Sequence, residues 1–200
     1  GQLVKIPGIA WPSFDQGNLE LSAEKVADEF RQLGFFDFVE IRRAAKPSGD
    51  SGAPALVARK AGHPDAPHVL LYAHHDVQPP GDRSLWDTEP FEATLKGDRL
   101  FGRGASDDKS GIITHLTSLR AFIELATEIR IGVTVFIEGE EEAGSESFPE
   151  FLRTNHADLA ADLIVVADSG NWSEDVPALT SSLRGMVSQT FTLRTLDHAL

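Results

Sequence analysis

Four short polar stretches carry the residue types from which a metal centre is built. The first is Ala73-His74-His75-Asp76-Val77. On an extended chain His74 and Asp76 point to one side and His75 to the other. An imidazole that binds a metal usually donates its second ring N–H to a carboxylate, and His-x-Asp supplies both groups. Alone, the pair reads equally well as a surface His–Asp contact. The second stretch is Gly102-Arg-Gly-Ala-Ser-Asp107-Asp108-Lys109-Ser110-Gly111. Its glycines allow a sharp turn, and two acids there would also suit the positive N-terminus of a following helix. The third, Glu138-Gly-Glu140-Glu141-Glu142-Ala-Gly-Ser145, is an acid run of the kind that usually forms a solvated face. The fourth is Asp168, just before Ser169-Gly170-Asn171, where an Asp commonly starts a turn.

Hydrophobic patterns reveal the elements that must position these residues. Val26, Phe30 and Leu33 recur at helical spacing within 19–34, with Ser22 as the expected cap and Gly34 as the stop. Residues 36–42 alternate apolar and polar, as a strand with one wet face does, and Leu56 to Ala58 read as a further strand. The runs at 68–73 (HVLLYA), 131–137 (IGVTVFI) and 163–167 (LIVVA) read as buried strands. Ser110 to Leu125 forms a helix with a broad apolar face that includes His115. Strands and helices alternating at these lengths predict an α/β fold, a three-layer α/β/α sandwich with a largely parallel central sheet. Each polar stretch then falls at the carboxyl end of a strand, where open α/β sheets form their sites. From Ser181 to Arg194 the chain alternates again, which predicts one more, half-solvated strand.

That placement gathers His74, Asp76, Asp107, Asp108, Glu141, Glu142 and Asp168 at one sheet edge. Two carboxylates about 4 Å apart repel by roughly 4 kcal/mol at an effective dielectric of about 20. Several such pairs would consume much of a domain's net stability of about 5–15 kcal/mol. Unless protonated, the cluster needs divalent cations. Imidazole and carboxylates without thiolate suit zinc or manganese. The surplus of carboxylates suggests two ions with a bridging Asp.

Composition narrows the partners. The 200 residues hold 18 Lys and Arg against 31 Asp and Glu, a formal charge of −13, which leaves little from which to build a nucleic-acid-binding face. No apolar run is long enough to span a membrane, and the first ten residues do not read as a signal peptide. There is no cysteine, which excludes disulfides, thiolate metal sites and cysteine nucleophiles. Its absence fits a reducing, cytoplasmic setting.

The stretches AHHDVQP, GRGASDDKSG, EGEEEAGS and VVADSGNW, in that order, resemble the di-metal superfamily of aminoacylase, carnosinase and carboxypeptidase G. HHDVQP, followed by Trp86 and PFEAT at 90–94, looks most like its dipeptidase branch. The resemblance implies a zinc-peptidase-like catalytic domain. It makes His74 a ligand of one metal, oriented by Asp76, with Asp168 the acidic ligand of the same ion. Asp107 would bridge the two ions, with a cis peptide to Asp108. Glu142 would hold the second ion and Glu141 would be the general base, so that Asp76 and Glu141 form the catalytic pair. The ions would be zinc, with manganese the alternative. The substrate would be a dipeptide or short peptide.

The family's second metal takes a histidine near the end of a chain roughly twice this long, and His198 falls too early for it. Residues 1–180 are therefore expected to be the N-terminal part of a catalytic domain. Residues 181–200 would be the first strand of a lid domain that forms the homodimer. These 200 residues are expected to be a fragment with little activity alone. An N-acyl-amino-acid deacylase and a non-catalytic cation-binding domain are the competing readings.

Overall fold

Strands of alternating side chains build one five-stranded sheet within Gly1–Asp168. The computed structural model describes residues 1–125 and 128–196. The strands are β1 (Phe38–Arg42), β2 (Ala55–Lys60), β3 (His68–His74), the short β4 (Thr94–Lys96) and β5 (Arg99–Phe101), β6 (Gly132–Glu138) and β7 (Leu163–Val166). The helices are α1 (Gln16–Arg31), α2 (Lys109–Leu125), α3 (Phe148–Thr154) and α4 (His156–Leu159). The sheet order is β1-β2-β6-β3-β7. β2 runs antiparallel to β1 and β6, whereas β6, β3 and β7 are mutually parallel. Four of the five strands thus share one direction, and the sheet is largely parallel as expected. β4 and β5 form a separate hairpin across Gly97, whose φ of 64° suits the tight turn.

The two faces of the sheet carry two cores. Leu56, Ala58, Ala73, Val133, Val135 and Ile137 pack with Val26, Phe30, Ile112 and Leu116 of α1 and α2. Their neighbours Val57, Leu70 and Phe136 point the other way, towards Phe151 and Leu159 of α3 and α4. The three-layer sandwich follows. Phe136 stacks on Phe148 and Phe151 with ring centroids 5.9 and 5.1 Å apart, and burying a side chain of that size contributes about 1.5–3 kcal/mol.

Some local expectations are corrected. Asp15, not Ser22, caps α1, its carboxylate accepting from the Gly17 N–H at 2.9 Å. Ser22 lies a turn and a half into the helix, where backbone N–H groups already have partners, and its hydroxyl donates to the His75 carbonyl at 3.2 Å. β7 is a strand but not a buried one: its four residues are 41–60% exposed, because it occupies the sheet edge.

A second compact unit begins at Ser169. It holds an isolated bridge between Ser173 and Val176. The strand expected at 181–194 is not formed, and these residues are exposed and without regular structure. A strand needs a neighbour to satisfy its N–H and C=O groups, and among the described residues none pairs with this segment. The last part of the 181–200 segment, 197–200 with His198, lies outside the described residues. Among the described residues no helix is long and apolar enough to cross a membrane.

Candidate metal centre

β3 ends on His74, which pairs in register with Glu138 at the end of β6. The parallel ladder therefore delivers the His-x-Asp and Glu-rich stretches to the same rim. His74 is fully buried, and its Nδ1 lies 3.3 Å from Asp76 Oδ1 and 3.1 Å from the Asp76 carbonyl. That leaves Nε2 facing outward. It lies 3.0 Å from Asp107 Oδ1, 3.8 Å from Asp168 Oδ2 and 3.9 Å from Glu141 Oε2. His75 points away, as alternation requires, with Nε2 2.8 Å from the Pro54 carbonyl.

Asp76 does more than orient an imidazole. Its two carboxylate oxygens accept the backbone N–H groups of Glu141 and Glu142 at 3.2 and 3.0 Å. One buried carboxylate thus joins the end of β3 to the loop after β6. The acid run itself is divided. Glu138 is buried and accepts from the Tyr72 hydroxyl at 2.8 Å. Glu140 is buried and accepts from the N–H groups of Ser147 at 2.6 Å and Ala53 at 3.1 Å. Only Glu141 and Glu142 turn to the site. Gly139 is required between these layers, because a Cβ there would sit 2.2 Å from the Pro54 carbonyl and 2.7 Å from His75 Nε2.

The Asp107–Asp108 peptide is cis. Asp108 is buried, its carboxylate accepting from the His74 N–H and the Gly111 N–H, both at 3.1 Å. Gly111 lets α2 approach the end of β7, since a Cβ would meet the Ala167 carbonyl at 2.2 Å and Asp108 Oδ1 at 2.3 Å. That approach brings Asp168 to Asp107 and His74. Behind them Lys109 is buried, its Nζ donating to the carbonyls of Leu3 at 2.7 Å and Ile6 at 3.0 Å. Burial lowers its ammonium to about 8.

The titrations follow from crowding. Burial alone would push the His74 imidazole down. The Asp76 hydrogen bond and the charges of Asp76, Asp108 and Asp168 outweigh it and raise the group to about 10. Burial pushes Asp108 up to about 7, reinforced by Asp168. Glu141 is raised by burial and by the charges of Glu142 and Asp168. Asp168 is raised by burial and by Asp107.

Two groups of donor atoms could each hold an ion: His74 with Asp108 and Asp168, and His74 with Asp107 and Glu142, each set lying within 4.8 Å. Bonds of about 2.0–2.2 Å place two donors on one zinc at most about 4.4 Å apart, so small adjustments suffice. The donor set of one imidazole and carboxylates, in a chain without thiols, fits a divalent cation. The Asp107, Glu141 and Asp168 side chains are 64%, 41% and 32% exposed, so ions among them would be open to a substrate. His74, rather than Asp107, belongs to both groups, because its Nε2 is the point on which the carboxylates converge. Glu141 belongs to neither. All six expected residues, Asp76 and Glu141 with His74, Asp107, Glu142 and Asp168, are brought together. Asp108, present in the motif but given no role, is part of one group. Gln78, in the same motif as His74, donates to Glu142 at 2.8 Å, and only its adjacency to His-x-Asp could have signalled it.

A match to peptidase family M20/M25/M40 spans residues 70–184, more than half of the chain, and takes in all four polar stretches. The chain belongs to this family. It is 35% identical over 179 residues to the cysteinylglycine-S-conjugate dipeptidase of Corynebacterium striatum, covering 89% of this chain and 38% of that protein. It is 32% identical over 177 residues to the Beta-Ala-His dipeptidase of Rattus norvegicus, covering 86% and 36%. Human carnosine dipeptidase 1 superposes with a TM-score of 0.73 at 29% identity, over 85% of this chain and 37% of its own. The chain therefore spans little more than a third of the length of these relatives. Peptidases of the family use divalent metals, and the M20/M25/M40 chain described here has two groups of side chains able to take them.

Proposed function

We propose that the protein is a metal-dependent hydrolase that cleaves the amide bond of dipeptides or short peptides. The reading is carried by one observation: residues from the ends of β3, β6 and β7 and from the turn before α2 converge on His74 Nε2, with Glu141 beside the two donor groups but outside both. His74, Asp107 and Asp168 would hold one ion, and Asp107 and Glu142 the other, with zinc the metal and manganese the alternative. When bound, the ions would supply Lewis acidity, lowering the pKa of an attacking water to near 7 and polarising the scissile carbonyl.

The chain's own residues supply the rest. Asp76 fixes the His74 ring through Nδ1 and holds the backbone of Glu141 and Glu142, so both acids keep their places as charge develops. Glu141, raised by burial and by its acidic neighbours, is suited to take a proton from the attacking water and return it to the leaving amine. The names of the relatives, both dipeptidases, favour a dipeptide over an N-acyl amino acid. The reading extends to a cytoplasmic homodimer, formed through a lid domain whose first strand would be residues 181–200 once a neighbouring strand pairs with them.

The test is hydrolysis of a dipeptide panel against N-acetyl amino acids by the metal-loaded protein carried to the length of its relatives. Dipeptides are expected to be cleaved. Glu141→Ala should lower kcat by about 10²–10⁴-fold, the usual contribution of a general base, while ion content stays unchanged. Preference for N-acetyl substrates would replace this reading by the deacylase. Full turnover in Glu141→Ala would end it.

A further inference from the structure

Glu142 is held at more points than a simple ligand requires. Its N–H donates to Asp76, while the Gln78 side-chain NH2 donates both to its carbonyl at 2.9 Å and to its Oε2 at 2.8 Å. Both protons of that NH2 are therefore spent on one residue. Oε2 is tied to the protein by Gln78, in a carboxylate that belongs to the donor group with His74 and Asp107.

Gln78 is itself fixed from both sides. The Val77 N–H before it donates to the Gly8 carbonyl at 3.0 Å. The two carbonyls after it are each taken by a side chain: Arg103 Nη2 donates to Pro79 at 3.2 Å, and Trp86 Nε1 donates to Pro80 at 2.8 Å. The Arg103 guanidinium lies over the Trp86 ring, 5.3 Å from its centroid, so the two clamps brace each other. Two prolines in succession add stiffness, since each ring fixes φ.

We infer that Gln78 is a positioning residue that sets the Glu142 carboxylate for the second ion, and that the Trp86–Arg103 clamp on Pro79–Pro80 holds Gln78 in place. The inference rests on the reading of Glu142 as an ion ligand. An amide is the group this task needs. It donates to a carboxylate without neutralising it, so Glu142 keeps its charge for the cation. A cationic side chain in the same place would compete with the ion.

The test is Co²⁺ binding to the protein carried to the length of its relatives, followed by calorimetry and visible absorption, with thermal melting as the measure of folding. Glu142→Gln defines the part of Co²⁺ binding that depends on this carboxylate. Gln78→Leu, similar in size but without the NH2, should weaken that same part by about 10–100-fold, the usual range for a residue that orients a ligand. Binding through His74 and Asp168 should be unchanged. Trp86→Phe, which keeps an aromatic ring under Arg103 but removes the indole N–H, should weaken the same part by a smaller factor. If Gln78→Leu leaves Co²⁺ binding unchanged, or weakens all of it together with the melting transition, the inference is overturned while Glu142 remains a ligand. If Gln78→Leu does not fold, Trp86→Phe decides, and an unchanged isotherm overturns the clamp. If Glu142→Gln itself changes nothing, the reading of Glu142 fails first.

Discussion

β6 and β7 carry nearly the same kind of sequence and live in different surroundings. Both are short runs of β-branched and apolar residues, both are parallel to β3, and both lead into loops that carry acids of the metal centre. Every residue of β6 is buried, between α1 and α2 on one side and α3 and α4 on the other. β7 is exposed along its length and pairs only with β3. Beside it, between α2 and β3, an apolar cleft of about 460 Å³ lies open, with Val165 and Ala167 on its wall. An apolar run thus specifies a strand, whereas its place in the sheet decides whether the run contributes to stability.

The largest expected effects come from breaking β6. Phe136→Ala removes a ring stacked between two others and should cost about 3–5 kcal/mol in urea unfolding. Val165→Thr on β7 should stay within about 0.5 kcal/mol, as at other surface positions. Equal losses would show that β7 is covered in solution. The glycines after the two strands sharpen the contrast. Gly139→Ala drives a methyl against the Pro54 carbonyl and should lower both the melting temperature and the ion affinity. Gly170→Ala, with nothing within 4 Å, should change neither.

A bound ion should make the two strands more alike. It would join His74 on β3 to Asp168 after β7, and at 100 times its Kd an ion stabilises the folded state by about 2.7 kcal/mol. Hydrogen exchange is expected to be fast in β7 and slow in β6 for ion-stripped protein. Zinc should slow β7 selectively, and Asp168→Asn should abolish that slowing. A rise in β6 protection alone would contradict the link.

A further effect is set by pH. The His74 imidazole of the ion-stripped protein titrates at about 10, above its ordinary 6.5. The folded state binds this proton more tightly than the unfolded chain does. The stability it contributes is therefore complete below 6.5 and is lost as pH rises through about 10. This imidazolium is the shared partner of Glu141 after β6 and Asp168 after β7. Raising the pH from 6.5 to 10 should lower protection, taken relative to the intrinsic base-catalysed exchange rate, in exposed β7 before it does so in β6. His74→Asn should remove that loss of β7 protection.

Much of the site could be read from residue types. Alternation along β3 puts His74 and Asp76 together and sends His75 elsewhere, and the fold keeps that arrangement. The helix α2 and the inner strands follow from apolar periodicity to within a residue or two. The cap of α1 is not legible because Asp15 precedes any apolar signal, while Ser22 has the right type at a position where no N–H is free. α3 and α4 left no such signal: one is seven residues long and the other four, too short for a helical stripe to repeat. The strand expected at 181–194 has the right alternation but, among the described residues, no strand beside it.

The divided acid run shows where local reading ends. Four glutamates of one type sit within five residues, and the chain alone does not tell which are buried and which face the ions. Contacts far along the chain decide it: Tyr72 takes Glu138, Ala53 and Ser147 take Glu140, and Gln78 takes Glu142, leaving Glu141 with no backbone or amide partner described for its carboxylate. The sequence by itself determined the layered α/β fold, the four polar stretches and their position at strand ends, because periodicity and turn chemistry act over a few residues. Tertiary structure alone decided that β7 lies at an edge, that His74 is the point of convergence and that each acid has its own task. Those outcomes depend on strand order and on desolvation, which no single segment contains.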